Sequence, residues 1–85
     1  MTTGTTASGT YYLFNKMDQD VPIVFVHGVG LTHEIWQPQL EFFNYHSTLA
    51  YDILGHGKSS LKNKEISFDD FSDQLIELLE HLNIK

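Results

Sequence analysis

Two glycine-containing segments hold the residues of this chain that are best suited to chemistry. The first, His27-Gly28-Val29-Gly30, directly follows Ile23–Val26, four apolar residues that predict a strand buried on both faces. A glycine loop that leaves such a strand and runs toward a helix can aim backbone N–H groups at negative charge. The segment therefore predicts an anion-binding loop, and its residues alone do not say which anion is bound.

The second segment, Asp52-Ile53-Leu54-Gly55-His56-Gly57-Lys58-Ser59, comes at the end of the apolar-rich stretch Thr48–Ile53. That stretch predicts a further strand, separated from the first by a helical pattern. A right-handed crossover between two parallel strands is the default for this order of elements. The sequence therefore predicts a parallel α/β unit with a glycine loop after each strand.

Three familiar ligand-binding patterns are nearly present, and each lacks a required residue. The glycine loop begins like a dinucleotide-binding fingerprint, with Asp52 placed to hold a ribose, but His33 replaces a small residue and Pro38 interrupts the helix. The tail Gly57-Lys58-Ser59 is typical of a phosphate-binding loop, but Asp52 stands where its first glycine should be. A zinc-protease helix motif that began with His33 and Glu34 would need a second histidine at position 37, where this chain has Gln37. A nucleotide-binding βαβ module stays open as an alternative, and the other two are excluded.

The strands that would position these segments follow from local patterns. Residues 1–8 predict a flexible leader, so that the domain proper would span 9–85. The stretch Tyr11–Lys16 predicts a strand, followed by a turn at Met17–Asp20. Pro22 begins the next strand, and we expect the two strands to form an antiparallel hairpin.

Two helical segments are predicted, one before and one after the second glycine segment. Thr32 can cap a short helical turn, and Pro38 fits the first turn of a helix that runs to Phe43. Ser67 caps a longer amphipathic helix, with Asp70 in the capping-box position. The residues of its apolar face are Phe68, Phe71, Leu75, Leu78, Leu79 and Leu82.

The composition limits the possible classes of function. The 85 residues, 41% hydrophobic and 19% charged, fit one small globular domain. A formal net charge of −6 argues against nucleic-acid binding. The chain has no cysteine, and no apolar run reaches the ~20 residues that span a membrane. We therefore expect a cytoplasmic protein with no thiolate metal site and no membrane partner, and its oligomeric state stays open.

Together the two glycine segments resemble landmarks of the α/β-hydrolase fold family. His27-Gly28-Val29-Gly30 is similar to the oxyanion-hole loop after that family's third strand, with Trp36 at the usual place in the helix behind it. The segment from Asp52 is similar to the Gly-His-Gly-x-Ser loop after the fourth strand, and the helix from Ser67 matches the one before the nucleophile strand. The resemblance implies the N-terminal portion of an α/β-hydrolase fold, with an incomplete sheet.

The resemblance also implies a function, a serine-type hydrolase that acts on small carboxylic esters or lactones. Similar members are enol-lactonase-like or carboxylesterase-like. The backbone N–H of Val29 would be the oxyanion-hole donor. The residues expected to shape the two loops are His27, Gly28, Gly30, Asp52, Gly55, His56 and Gly57.

The nucleophile, the acid and the catalytic histidine of that family have no counterpart in these 85 residues. We therefore expect the chain taken alone to be inactive and poorly stable. Members with an Asp nucleophile share the same front half, so the nucleophile stays open between Ser and Asp. A non-catalytic scaffold with this fold is a further alternative.

The remaining polar and aromatic candidates favour structural roles. Ser59 and Ser60 do not lie in a Gly-x-Ser-x-Gly elbow, so neither is expected to be a nucleophile. The histidines expected at the surface or on helices are His33, His46 and His81. The aromatic residues expected in the core are Trp36, Phe42 and Phe43.

Overall fold

The computed structural model of the chain describes residues 2–17, 21–60 and 67–84. Its elements, in chain order, are β1 (Thr2–Thr5), β2 (Tyr11–Asn15), β3 (Ile23–Val26), a 3₁₀ helix (His33–Trp36), α1 (Gln37–Phe42), β4 (Thr48–Tyr51) and α2 (Phe68–His81). Most of the predicted turn at Met17–Asp20 and the polar stretch before Ser67 lie outside the described residues. Among the described residues, no helix is long and apolar enough to cross a bilayer.

The strands form one mixed sheet in the order β1-β2-β4-β3. β3 and β4 are parallel, with Val24 opposite Leu49, and the 3₁₀ helix and α1 connect them. This confirms the predicted parallel pairing of the two strands and the mixed α/β class. β4 lies in the middle of the sheet and is buried along its whole length, because it pairs with a strand on each side.

The strand pairing corrects the predicted hairpin. β2 pairs with β1 and with β4, both antiparallel, and β4 separates it from β3. Adjacent strands in a sequence often pair, but the fully buried β4 can satisfy its backbone only between two neighbours. The hairpin is instead formed by β1 and β2, so Thr2–Thr5 is a strand in a stretch expected to be a flexible leader. Threonine is β-branched and suits a paired strand, which explains that difference.

The exposure of β3 also differs from the expectation. The sequence predicts a strand buried on both faces, but Ile23 is 38% exposed and Val26 is 47% exposed. Within the described sheet β3 has one neighbour, β4, so its other edge is open. An apolar strand with an unpaired edge is a surface on which further chain can pair.

The helix α2 closes the core over one face of the sheet. Its residue Leu78 is fully buried in one cluster with Leu49 and Ile53. Other members of the predicted apolar face that pack on this cluster are Phe71, Leu75, Leu79 and Leu82. Phe68 is the exception at 90% exposed, because it begins the helix beside a cleft instead of over the sheet.

The caps and the other aromatic residues follow local rules. The Thr32 side chain accepts the N–H of Glu34, and Pro38 lies in the first turn of α1, as predicted. The N–H of Ser67 donates to the Asp70 carboxylate at 2.8 Å, as a capping box requires. On the α1 side, Trp36 and Phe43 pack against Phe25, with ring centroids 5.1 and 6.2 Å away. Phe42 is exposed, which corrects its predicted core position.

Candidate functional site

The first glycine loop forms a tight turn. The Leu31 N–H donates to the Gly28 carbonyl oxygen at 3.1 Å, so Val29 and Gly30 occupy the two central positions. Gly30 has a φ of +90°, as the second central residue of a type II turn requires. Gly28 has no such constraint, and a Cβ built on it would meet Leu31 at an ordinary 3.9 Å.

The buried ring of His27 connects this loop to the second one. Its Nε2 accepts the N–H of Ile53 at 3.0 Å, and its Nδ1 lies 2.8 Å from the Gly28 carbonyl oxygen. Because Nε2 is an acceptor here, Nδ1 carries the proton and donates to Gly28. Both ring nitrogens of His27 are therefore engaged in hydrogen bonds to the backbone, and neither is free to act as a base on a substrate.

His56 makes the same kind of connection in the opposite direction. Its Nε2 accepts the N–H of Gly30 at 3.0 Å, and its Nδ1 donates to the Leu54 carbonyl oxygen at 2.9 Å. The rings of His27 and His56 lie 5.5 Å apart between the loops. The two loops are thus joined by reciprocal imidazole-to-backbone hydrogen bonds.

Asp52 is the buried acceptor at the base of the second loop. Its Oδ1 accepts the backbone N–H and the ring Nδ1–H of His33, at 2.7 and 2.8 Å, and its Oδ2 accepts the Lys58 N–H at 2.9 Å. Burial raises the pKa of this carboxyl group, but the bonds from Lys58 and His33 outweigh it and leave the pKa of Asp52 below its ordinary value. The carboxylate is therefore ionised and structural.

The glycines of the second loop differ in what they require. Gly57 has a φ of +50°, and a Cβ built on it would overlap the Asp52 carboxylate. The loop therefore reaches Asp52 only because residue 57 has no side chain. Gly55 also has a positive φ, of +72°. Asp52 and His56 do not bond each other: Asp52 accepts from His33 and Lys58, whereas His56 bonds Gly30 and Leu54.

The hydroxyl of Ser59 is part of this framework. It donates to the Asp52 carbonyl oxygen at 2.6 Å and accepts the Tyr11 N–H at 2.9 Å. Within the described ranges no serine hydroxyl is hydrogen bonded to a histidine ring, so those residues hold no serine–histidine nucleophile pair. Ser60 is exposed beside the Gly9 carbonyl oxygen, to which its N–H donates at 2.9 Å.

Two successive backbone N–H groups of the first loop are unpaired. Those of Gly28 and Val29 make no hydrogen bond to residues 2–17, 21–60 or 67–84, whereas the next N–H, of Gly30, is held by His56. The side chain of Val29 is 81% exposed. The Val29 N–H, at the first central position of the turn, is therefore an unpaired donor held in place by the hydrogen bonds of Gly28 O and Gly30 N on either side of it.

An apolar cleft lies against this turn. Its volume is about 270 Å³, and its lining includes Val26, Val29, Ile53, Phe68 and Phe71. The buried ring of Tyr51 also lines it, and burial raises the pKa of that phenol. An unpaired N–H beside an apolar cleft can bind the oxygen of a polarised carbonyl compound whose hydrophobic part occupies the cleft.

Sequence reasoning missed two residues of this framework. His33 was expected at the surface or on a helix, and it does begin the 3₁₀ helix. Its side chain is nevertheless only 13% exposed and bonds Asp52, a partner 19 residues away that no local pattern indicates. Gln74 is buried in α2, where it bonds Leu54, Asp52 and Thr10. The sequence does indicate this role of Gln74, because a glutamine three residues from Phe71 lies on the apolar face of the helix, and a buried amide needs hydrogen-bond partners.

The chain is thus a mixed α/β unit whose two parallel strands each end in a glycine loop, and comparison with known proteins gives the family. The model of the alpha/beta hydrolase family matches residues 23–84. The chain is 39% identical over 64 residues to an (E)-2-((N-methylformamido)methylene)succinate hydrolase of Acinetobacter baylyi, a match that covers 74% of this chain and 24% of that protein. The chain belongs to the alpha/beta hydrolase family.

Further similar proteins agree with this assignment. A non-heme chloroperoxidase, CPO-A1 of Kitasatospora aureofaciens, is 34% identical over 84 residues, which cover 95% of this chain and 30% of that protein. A carboxylesterase structure from Nitrososphaera gargenis superposes with a TM-score of 0.82 at 28% identity and covers 98% of this chain and 33% of that one. The chain spans about a quarter to a third of the length of these relatives.

Proposed function

We propose that this chain is the N-terminal part of a serine-type hydrolase that acts on small carboxylic esters or lactones, and that the Val29 N–H is one donor of its oxyanion hole. The observation that carries the proposal is the unpaired Val29 N–H beside the apolar cleft. Negative charge develops on the carbonyl oxygen when a nucleophile attacks an ester. A donor that is already oriented stabilises this charge without reorganising.

The reaction proposed for the complete enzyme needs residues outside this chain. A serine would attack the carbonyl carbon while a histidine base took the serine proton. Collapse of the tetrahedral intermediate would break the ester C–O bond, return that proton from the histidine to the departing alcohol and leave an acyl-enzyme. Water would then release the acid by the same steps. The second oxyanion donor would be the N–H after the nucleophile. No step in this scheme uses a cofactor or a metal.

The loop-shaping residues have defined parts in the proposal. His27 and His56 hold the two loops together, and Asp52 accepts N–H groups from both sides of the junction. Gly30 and Gly57 supply the positive φ values of the turns, as Gly55 does. Gly28 would leave room for the substrate oxygen. The cytoplasmic location suggested by the cysteine-free sequence stays a prediction.

The test compares two substitutions of Val29 in the complete polypeptide. Val29 is the first central residue of a turn of the type II form, a position where proline is common, so Val29→Pro removes the N–H with little change of backbone. We expect Val29→Pro to cost about 2.7–4 kcal/mol of transition-state stabilisation, seen as a fall in kcat of about 10²–10³-fold. Val29→Ala, which keeps the N–H, should change kcat only modestly. Equal losses in two well-folded variants would count against the proposal.

The coding sequence beyond residue 85 separates the serine mechanism from its alternatives. A Gly-x-Ser-x-Gly elbow following closely supports the esterase or lactonase proposal. An Asp in the serine position would move the protein to the members with an Asp nucleophile. A continuation of the family fold with neither residue would favour a non-catalytic scaffold.

The nucleotide-binding alternative is disfavoured by the position of Asp52. A ribose hydroxyl needs an accessible carboxylate, but Asp52 is fully buried and both of its oxygens already accept hydrogen bonds. We expect millimolar NAD to leave amide exchange in the loop 28–30 unchanged. Saturable NAD binding that Asp52→Ala abolishes would reverse this conclusion.

A further inference from the structure

The ring of His33 joins the two loops through a contact that the proposed oxyanion hole does not itself include. Backbone N and ring Nδ1 of His33 lie 2.7 and 2.8 Å from the same oxygen, Oδ1 of Asp52. An ionised carboxylate only accepts hydrogen bonds, so His33 donates both. Two donors from one residue to one buried oxygen fix the backbone and the side chain of His33 together.

The position of His33 mirrors that of His27. The loop 28–32 runs between these two histidines, and each of them bonds a residue at the start of the second loop. His27 accepts the N–H of Ile53, and His33 donates to the carboxylate of Asp52. Both ends of the loop that carries Val29 are therefore attached to adjacent residues. A loop fixed at both ends holds an N–H in a constant direction.

The outer face of the His33 ring is also covered. Its centroid lies 5.2 Å from that of Tyr11, and the Lys58 Nζ lies 4.8 Å above the Tyr11 ring. The Lys58 backbone N–H bonds the other Asp52 oxygen, so Tyr11, His33, Asp52 and Lys58 form one packed unit. Rotation of the imidazole away from Asp52 would require Tyr11 to move.

We propose that His33 is a positioning residue for the oxyanion-hole donor and acts through Asp52. The inference rests on the proposed function of Val29. Loss of the ring would leave a single bond, from the His33 N–H, to hold the second end of the loop, and the Asp52 carboxylate could then turn away from the Lys58 N–H. The Val29 N–H would still be present in the loop, but its direction would no longer be fixed.

Three substitutions of His33 separate position from mere presence of a polar group. His33→Ala removes the ring donor. His33→Asn places an amide N–H as many bonds from the backbone as Nδ1 is, whereas His33→Gln places it one bond farther. The matched control is His46→Ala, which removes an exposed histidine outside both loops.

The first readout is steady-state ester hydrolysis by the complete polypeptide. We expect His33→Ala and His33→Gln to lower kcat by on the order of ten- to a hundredfold, because a small misplacement of the oxyanion donor slows the reaction by about this much. KM should change little. His33→Asn should recover most of kcat, and His46→Ala should match the wild type. Full kcat in His33→Ala, or equal kcat in the Asn and Gln variants, would overturn the proposal.

The second readout needs no activity. In amide NMR spectra of the complete polypeptide, His33→Gln should shift the Val29 and Gly30 signals, and His33→Asn should leave them near their wild-type positions. Unshifted Val29 and Gly30 signals in His33→Gln would overturn the positioning role even where the protein folds. If the wild type hydrolyses no ester, the proposed function fails, and this spectral comparison still decides whether His33 positions the loop.

Discussion

Gln74 offers the sharpest test of how α2 supports the two loops. Its Oε1 accepts the Leu54 N–H at 3.0 Å, and its Nε2 donates to the Asp52 carbonyl oxygen at 3.0 Å and to the Thr10 hydroxyl at 3.1 Å. The side chain is 5% exposed. Gln74→Leu has a similar size and removes all of these bonds at once.

The partners of Gln74 set the size of the effect. Asp52 keeps a second donor, the Ser59 hydroxyl at 2.6 Å, but among the described residues the Leu54 N–H keeps none. An orphaned buried donor costs about 1–3 kcal/mol, and each ordinary bond lost costs about 0.5–1.5 kcal/mol. The leucine regains part of this by burying apolar surface. We expect a net loss of about 2–4 kcal/mol in the free energy of unfolding.

The measurement is denaturant unfolding of the complete polypeptide, with Gln39→Leu as the control. Gln39 is exposed on α1, so the same substitution there should change stability by within about 0.5 kcal/mol. Amide hydrogen exchange at Leu54 should also become faster in Gln74→Leu. Equal stability of the two variants, with unchanged Leu54 exchange, would refute the idea that α2 supports the loops through this side chain.

Two further predictions concern the second loop. The pKa of Asp52 is lowered in the folded protein, so its stabilising effect is complete above the ordinary carboxyl value of about 3.9 and is lost as the pH falls below it. The gap in unfolding free energy between the wild type and Asp52→Asn should therefore close with falling pH, and a constant gap down to about pH 3 would contradict this. At Gly30, alanine should cost about 1–2 kcal/mol of stability because of the positive φ alone. Alanine at Gly57 should cost more, because a Cβ there would also overlap the Asp52 carboxylate, and alanine at Gly28 should cost least. A different order of the three variants in thermal melts would contradict the loop geometry.

The elements were largely predictable because their signals are local. The Thr32 cap, Pro38 in the first turn of α1 and the apolar repeat of α2 each depend on residues within a few positions. The parallel arrangement of β3 and β4 followed from the helix between them. Strand partners were harder, because pairing depends on burial across the whole sheet, which is why β4 and not β3 lies beside β2.

The site was predictable in its loops and not in its contacts. The glycine pattern predicted two loops, and Gly30 and Gly57 do have the positive φ values of tight turns. The role of Val29 came from the family resemblance and stays a proposal. The His33–Asp52 bond joins residues 19 positions apart, and a histidine side chain in a sequence carries no sign of its partner. Only the fold brings the start of the 3₁₀ helix onto the carboxylate after β4.

The most direct test of the central claim asks which backbone N–H binds a reacting oxygen. The measurement is the amide proton shift of Val29 and of Gly30 in the complete polypeptide, before and after a phosphonate ester forms a tetrahedral adduct with its nucleophile. We predict a large downfield shift at Val29, whose N–H is free in the described structure, and little change at Gly30, whose N–H already bonds His56. A shift at Gly30 with none at Val29, or no shift at either while the adduct forms, would contradict the assignment of Val29 as the oxyanion donor.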